Sequence, residues 1–277
     1  MSSVTAPVAD ILTWFNISSV LSFALVLFRV SGLTLAGPVF GESGIPAQVK
    51  VTMTLGLAVL FYAVYAFSPA GQLPRVPVIT DLWEFSFVAG LELLVGLFAG
   101  YMINLVFYAV RGAGEMMALQ MGLNASALID PLTRQQQTAV TQLLFLTTLM
   151  IFLSVDGHHQ LLGLLDSTFN TLPIGFAVLK SVNPINITML SKLAIDLTQD
   201  MLILAISLAM PAFGAVLVAE VGMAFVAKLM PQMNVFIVGI PVKLVIGFSI
   251  LYFSGPSIAE AVLQGFGQML LNLGRVI

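Results

Sequence analysis

Charged and small side chains are concentrated in one stretch of this chain, residues 111–134, whose surroundings are almost continuously apolar. Arg111 and Glu115 stand one helical turn apart, so the two side chains can form an ion pair and lower the cost of placing either charge in a low-dielectric setting. Catalysis would need a positioned nucleophile, a base and an orienting group, and no such set can be assembled from the sequence. The stretch therefore predicts electrostatic pairing and close packing rather than bond-making chemistry.

Motifs of the common enzyme classes are missing from the sequence. It has no phosphate-binding loop, nucleophile elbow, zinc-protease motif or dinucleotide-binding fingerprint. It also has no cysteine, which excludes disulfides, thiolate metal sites and cysteine nucleophiles. Asp156, His158 and His159 form one cluster, but adjacent histidines in a turn lack the geometry and the ligand number of a metal site. We predict no enzyme activity, no catalytic residue, no cofactor and no metal, and interpret the cluster as a loop end at a membrane interface.

The composition predicts an integral membrane protein. The chain is 59% hydrophobic and 8% charged, with a mean hydropathy of +1.04, whereas soluble domains carry about 25% charged residues. The net charge of -3 and singly spread Lys and Arg residues leave no basic surface for nucleic acid. Apolar runs of membrane-spanning length predict an all-α protein of hydrophobic helices and helical hairpins, with residues 1–277 as a single membrane domain. The polar stretch at residues 180–200 predicts an exposed connection followed by a helix start.

A four-residue spacing of small and polar side chains predicts a seam between helices. Gly96 and Gly100 form a GxxxG pattern, which lets a neighbouring backbone approach closely, and both are expected to accept alanine but not leucine. Glu92 is either a buried carboxylate with a partner or a polar contact that faces a conduit. The predicted seam residues are Glu92, Gly96, Gly100, Asn104, Arg111, Gly114, Glu115, Ala118 and Gln120.

The helical pattern fails after Gly122. Asn124 and Ser126 propagate a helix poorly, and Asp130-Pro131 reads as an N-cap followed by proline at the first helical position. Irregular backbone at membrane depth is tolerated only where protein buries it or where it lines an aqueous cavity. The pattern predicts a broken, re-entrant-like loop near the middle of the chain and a candidate pore gate, made of Met121, Gly122, Leu123, Asn124, Ala125, Ser126, Ala127, Leu128, Ile129, Asp130 and Pro131.

Three segments together resemble one protein family: GEMMALQMGLNASALIDP from Gly114, FLSVDGHHQLLGLLDSTFNTLPIG from Phe152, and MPQMNVFIVGIPVKLVIGF from Met230. They are similar to the FliR/SctT family of bacterial type III export-gate proteins, in order along nearly the whole chain. The most specific positions are Gly114-Glu115, Gln120-Met121-Gly122, Asp130-Pro131, Gly157-His158, Leu172-Pro173, Pro231-Gln232, Asn234, Gly239 and Pro241.

The resemblance implies a subunit of the flagellar export apparatus in the bacterial inner membrane, at the basal body. It implies assembly with FliP and FliQ, together with FlhB and FlhA, around the path of unfolded flagellar proteins, with the complex partly raised above the bilayer plane. Residues 1–188, including the central loop at residues 111–134, would be FliP-like, and residues 189–277 would form a FliQ-like hairpin. The loop after Gly122 would plug the channel. Relatives carry bulky aromatics there, so in this chain sealing is expected from Met121, Leu123, Leu128 and Ile129.

Two other functions stay open from the sequence alone. One is the homologous subunit of a virulence type III secretion system. The other is a self-contained secondary transporter, in which Glu92, Arg111 and Glu115 would form a substrate or proton site. A transporter should show two corresponding halves with paired helix breaks, and the sequence shows one strong break flanked by charge.

Overall fold

The computed structural model describes residues 17–38, 45–67, 81–123, 138–175, 187–232 and 234–274, and these contain helices and no strand. The predicted all-α class is therefore confirmed. Among these described residues, five helices are long and apolar enough to cross a membrane, and the number rises to six if one bent pair counts as a single span. The helices are α1 (Ile17–Ala36), α2 (Ala47–Phe67), α3 (Leu82–Met121), α4 (Ala139–Ser154), α5 (Gly157–Thr171), α6 (Ile187–Leu229) and α7 (Val235–Gly274).

The bent pair consists of α4 and α5, which meet at an angle of 69°. Asp156, between them, has a φ of 55°, a left-handed conformation that side chains other than glycine seldom adopt. Gly157 follows, and a Cβ there would overlap the ring of Phe152, so the turn is too tight for any side chain at this position. A second break was expected at residues 124–131, which lie outside the described residues.

Contacts divide the chain into two compact units. The first contains α1, α2, α3 up to Asn104 and α5 from His159 onward. The second contains α3 from Leu105 onward, α4, α6 from Ser191 onward and α7. The long helix α3 therefore supplies side chains to both units.

The first unit is held by aromatic packing and buried polar contacts. The ring of Phe169 in α5 lies 5.7 Å from that of Phe61 and 5.3 Å from that of Tyr65, both in α2. The hydroxyls of Thr34 in α1 and Thr54 in α2 are 2.9 Å apart and buried. The ring contacts join α2 to α5, and the hydroxyl contact joins α1 to α2 through polar groups that lipid could not satisfy.

Phe107 of α3 is the centre of the second unit. Its ring lies 5.9 Å from Phe145 and 5.6 Å from Phe152 in α4, and 5.6 Å from Phe266 in α7. Such edge-to-face and tilted ring pairs stabilise a core beyond the area that they bury.

Helices α6 and α7 form an antiparallel hairpin in the second unit. Near its turn, a Cβ on Gly239 would lie 3.3 Å from the side chain of Met223, and Lys243 pairs with Glu220. Far from the turn, a Cβ on Gly265 would lie 2.9 Å from Leu204, so the two helices stay together along their length.

The polar stretch at residues 180–200 was expected to contain an exposed connection followed by a helix start, and α6 does begin within it, at Ile187. Residues 180–186, where the connection was expected, lie outside the described residues. Lys192, Asp196 and Asp200 are exposed at four-residue spacing on one face, while Leu193 and Leu197 are buried on another. Opposite charges one turn apart support a helix, and the two leucines give it an apolar face to bury. The polarity therefore marked the exposed side of α6.

Candidate gate and the polar networks that support it

The first four predicted seam residues all lie against α1. A Cβ on Gly100 would lie 2.8 Å from the carbonyl oxygen of Leu33, and one on Gly96 would lie 2.9 Å from the Leu33 nitrogen and overlap the Arg29 carbonyl oxygen. Asn104 donates from Nδ2 to the Ala36 carbonyl oxygen over 3.0 Å. The expectation that alanine fits at Gly96 and Gly100 is wrong, because even a methyl group would meet backbone atoms there.

Glu92, at the start of this seam, is fully buried and pairs with Arg29 of α1. Its Oε2 lies 2.6 Å from the Arg29 Nε, and its Oε1 accepts from the Gly175 nitrogen over 2.8 Å. Both carboxylate oxygens are thus occupied inside the protein. The sequence left two interpretations of Glu92 open, a buried carboxylate with a partner or a polar contact that faces a conduit. The observed geometry is that of the buried carboxylate with a partner.

Arg29 was not singled out from the sequence, yet it joins α1, α3 and α5. It is fully buried, its Nη1 donates to the carbonyl oxygens of Thr168 (3.0 Å) and Leu172 (2.8 Å), and its guanidinium carbon lies 4.5 Å from the Phe169 ring centre. A cation at the last carbonyls of a helix satisfies acceptors that have no partner within the helix and complements its dipole. The sequence did contain a signal for this pair. An arginine inside an apolar run requires a partner, and Glu92 is a carboxylate inside another apolar run.

Tyr65 and Asp166 form another contact that sequence reasoning missed. The Tyr65 hydroxyl donates to the Asp166 Oδ1 over 2.7 Å, and this ties α2 to α5. The two residues are far apart in sequence, and only packing brings them together.

The remaining seam residues belong to the second unit and contact α4 where partners are described. A Cβ on Gly114 would lie 2.8 Å from the Thr141 Cα, and the Thr141 hydroxyl donates to the Glu115 Oε1 over 2.8 Å. The Arg111 guanidinium carbon lies 4.2 Å from the Phe145 ring centre, a cation–π arrangement. Ala118 is buried and Gln120 is partly buried. The predicted stripe thus has two neighbours, α1 in one unit and α4 in the other.

At the start of the candidate gate, α3 ends in a glycine cap. Gly122 has a φ of 78°, its nitrogen donates to the Leu119 carbonyl oxygen (3.1 Å), and the Leu123 nitrogen donates to the Ala118 carbonyl oxygen (3.0 Å). This is the Schellman pattern, which requires a left-handed residue after the last helical one and therefore favours glycine. The remaining gate residues, Asn124, Ala125, Ser126, Ala127, Leu128, Ile129, Asp130 and Pro131, lie outside the described residues.

Helix α7 lies against this cap. Met121 is buried, and its side chain fills the space where Gly247 has no Cβ. A Cβ on Gly122 would lie 3.9 Å from the Ile240 side chain, an ordinary contact distance. The first residues of the candidate gate are therefore held between the end of α3 and the first half of α7.

The segment with Asp156, His158 and His159 starts α5, and all three side chains are exposed. One potential ligand atom from each lies within 4.8 Å of the others. Catalytic zinc sites have three protein ligands, so the number of side chains in this cluster does not exclude a metal. The exposure of all three side chains differs from a site that shields its ion from solvent.

A family model described as bacterial export proteins, family 1, matches residues 20–269 of the chain. The chain belongs to this family of bacterial export proteins. The resemblance inferred from the three sequence segments is thereby confirmed.

Several flagellar proteins are similar to this family member over most of its length. The Escherichia coli (strain K12) flagellar biosynthetic protein FliR is 29% identical over 269 residues, which cover 96% of this chain and 94% of the relative. The FliR of Pectobacterium carotovorum is 30% identical over 85% of this chain and 84% of its own length. The FliR of Bacillus subtilis (strain 168) is 27% identical, with 83% and 84% covered.

The three sequence segments that resemble the family lie at helix ends, as far as the structure describes them. One covers the last turns and cap of α3, a second covers the α4–α5 turn and the end of α5, and the third covers the α6–α7 turn. Such positions require special backbone geometry, as the φ of 78° at Gly122 and of 71° at Gly175 illustrate. The motifs therefore mark the places where this export protein changes direction.

Proposed function

We propose that this chain is a core subunit of the flagellar type III export gate in the bacterial inner membrane. In this proposal it assembles with FliP and FliQ, and with FlhB and FlhA, around the path that unfolded flagellar proteins take. The observation that carries the proposal is the match along nearly the whole chain to relatives named as flagellar biosynthetic proteins. Because the relatives are flagellar, the flagellar assignment is preferred over a virulence secretion system.

The buried charges support a structural role over a transporter site. Glu92 is fully buried and both of its carboxylate oxygens are occupied by Arg29 and Gly175. A substrate or proton site needs a carboxylate that can exchange partners. In the export gate, Glu92 instead joins helices within one subunit.

The division into a FliP-like part at residues 1–188 and a FliQ-like hairpin at residues 189–277 forms part of the same proposal. The antiparallel packing of α6 and α7 supports the hairpin. Only 11% of an apolar 18-residue stretch within Ile237–Leu271 is buried, against 56% of such a stretch within Leu82–Met121. So much exposed apolar surface on α7 suits a helix that other subunits cover.

The loop that starts at Met121 and ends at Pro131 is proposed to plug the channel at rest and to move when a secreted chain passes. Its first residues are fixed by the cap at Gly122 and by α7, which supports a loop that is anchored at one end. Leu123, Leu128 and Ile129 would exclude water, and an apolar constriction blocks ions without a ring stack. Met121 was also expected to seal the channel, but its side chain is buried against Gly247 of α7 and instead anchors the start of the loop.

The test is to shorten the loop between Leu123 and Ile129 and to measure membrane conductance and flagellar protein secretion in cells. We expect the complex to assemble but to leak small ions at rest. A matched control reverses the order of residues 124–127, which keeps length and composition and should keep the seal. If the shortened loop assembles and leaks no more than wild type, the segment is a connector and the plug assignment fails.

A further inference from the structure

Helix α5 exposes a different kind of surface from its neighbours in the first unit. The exposed residues of α1 are Val20, Phe28 and Leu35, and all three are apolar. From Met53 onward, the described residues of α2 likewise expose no polar side chain. The exposed residues of α5, by contrast, include no apolar side chain. One helix of an otherwise apolar unit therefore presents polar groups outward.

Four of these exposed residues form a stripe along α5, here named the α5 face: His159, Gly163, Asp166 and Asn170. At 3.6 residues per turn they lie within about 60° of one another around the helix. Thr168, on the opposite side, is buried. The helix is thus two-sided, with one side packed in the unit and the other polar and exposed.

The end of α5 lies beside the middle of a helix that is long enough to span a membrane. Arg29, which donates to two carbonyl oxygens at the end of α5, is near the middle of the candidate span Ser18–Ala36. Asp166, further back along α5, accepts from Tyr65, next to the end of the candidate span Ala47–Ala66. The α5 face therefore runs from the level of the end of one span to the middle depth of another.

Neither lipid nor a packed protein interface suits the α5 face. At membrane depth, a carboxylate such as that of Asp166 faces the interior of a helix bundle or a water-filled cavity rather than lipid. Packed interfaces have an apolar core from which charged residues are depleted, and the α5 face contains no apolar side chain. Water is the environment that matches these groups.

We propose that the α5 face lines a water-filled part of the export path and contacts the unfolded chain that passes through it. The inference rests on the proposed function and deepens it, because it assigns a contact with the exported chain outside the candidate gate at residues 121–131. Imidazole, carboxylate and amide groups can bond to the backbone N–H and C=O groups of any sequence. Without large apolar side chains, the face offers apolar segments of the passing chain no surface to bind.

Two glycines provide a matched test of water access. Gly163 on the α5 face and Gly56 on the apolar surface of α2 are both exposed, and a Cβ at either position would meet no atom within 4 Å. Because the chain has no cysteine, Gly163→Cys and Gly56→Cys each introduce a single thiol. The reagent is a charged maleimide that does not enter lipid, added to open membrane sheets that contain the assembled complex.

We expect the maleimide to label Gly163→Cys about a hundredfold faster than Gly56→Cys, the factor by which an apolar setting disfavours the charged thiolate that reacts. A thiol at position 163 that reacts as slowly as the one at position 56 would show that the α5 face is dry, which overturns the inference.

Contact with the exported chain is tested on a gate stalled during export by a flagellar protein fused to a tightly folded domain. A photoreactive maleimide on Gly163→Cys or on Asn170→Cys is expected to cross-link to the stalled chain, whereas Gly56→Cys is expected not to. Leu123→Cys, at the start of the candidate gate, serves as the positive control.

A cross-link to the stalled chain from position 123 but from neither position 163 nor position 170 would overturn the inference and leave the proposed function intact. Cross-links from positions 163 and 170 to lipid alone, or to another subunit alone, would overturn it in the same way. If no position, including 123, cross-links to the stalled chain, the proposed function itself fails, and the inference fails with it.

Discussion

At the residue scale, the fully buried pair of Arg29 and Glu92 determines how the first unit is held together. The two charges stabilise one another, cap the end of α5 and fix Gly175. Glu92 could be identified from the sequence because it stands four residues before Gly96 in one short, regularly spaced pattern. Arg29 is separated from Glu92 by 63 positions, and no local pattern connects them.

Removing one member of this pair should be worse than removing both. Arg29→Met or Glu92→Leu leaves an uncompensated buried charge, which costs about 3–5 kcal/mol of unfolding free energy. The double variant leaves no such charge, although it still loses the hydrogen bonds to α5 and Gly175. We expect the purified complex with the double variant to show a higher thermal midpoint than either single variant. A double variant whose loss equals the sum of the two single losses would show that the charges do not act as a pair.

At the element scale, α3 shows why spacing alone could not assign one neighbour to the predicted seam. Gly96 and Gly114 are about five whole turns apart at 3.6 residues per turn, so they lie on the same face of α3 but at different positions along it. One stripe on a helix as long as α3 therefore meets more than one neighbouring helix. Glu92 and Gly96 face α1, whereas Gly114 and Glu115 face α4.

Two glycines on α3 provide a matched test of close packing. In Gly96→Ala the methyl group would meet the backbone of α1, and overpacking of this kind costs about 1–3 kcal/mol. In Gly90→Ala the added methyl group would meet no atom within 4 Å, and alanine stabilises a helix by roughly 0.5–1 kcal/mol relative to glycine. We expect thermal unfolding of the complex to occur earlier for the first variant and no earlier for the second. Equal midpoints would show that α1 can move away from α3 without loss.

At the scale of the whole molecule, the second unit exposes more apolar surface than an isolated chain would tolerate in water. Leu202, Ile206, Val218 and Phe225 of α6 are each at least 50% exposed. Helix α6 has 43 residues, or about 64 Å, roughly twice the hydrocarbon thickness of a bilayer. Part of the helix must therefore tilt or extend beyond the bilayer, and in the proposed assembly other subunits would cover the apolar side chains that lie outside the hydrocarbon.

The chain should accordingly be unstable when it is produced without partners. We expect it to aggregate in mild detergent when expressed alone, and to elute as a single symmetric peak when co-expressed with FliP and FliQ. Size-exclusion chromatography of both preparations measures this directly. A monodisperse solitary chain would contradict the export-gate proposal and favour a self-contained transporter.

The sequence by itself determined the helical class, the membrane setting, the family and the end of α3 at Gly122. Each of these depends on composition or on short-range pattern: long apolar runs, helical periodicity, and a glycine where the helix must end. Tertiary structure decided which charges pair. It alone showed that Arg29 joins α1, α3 and α5, that Tyr65 binds Asp166, and that alanine does not fit at Gly96. The reason is physical: each of these outcomes depends on two backbones that come together from distant parts of the chain, and local spacing carries no information about that distance.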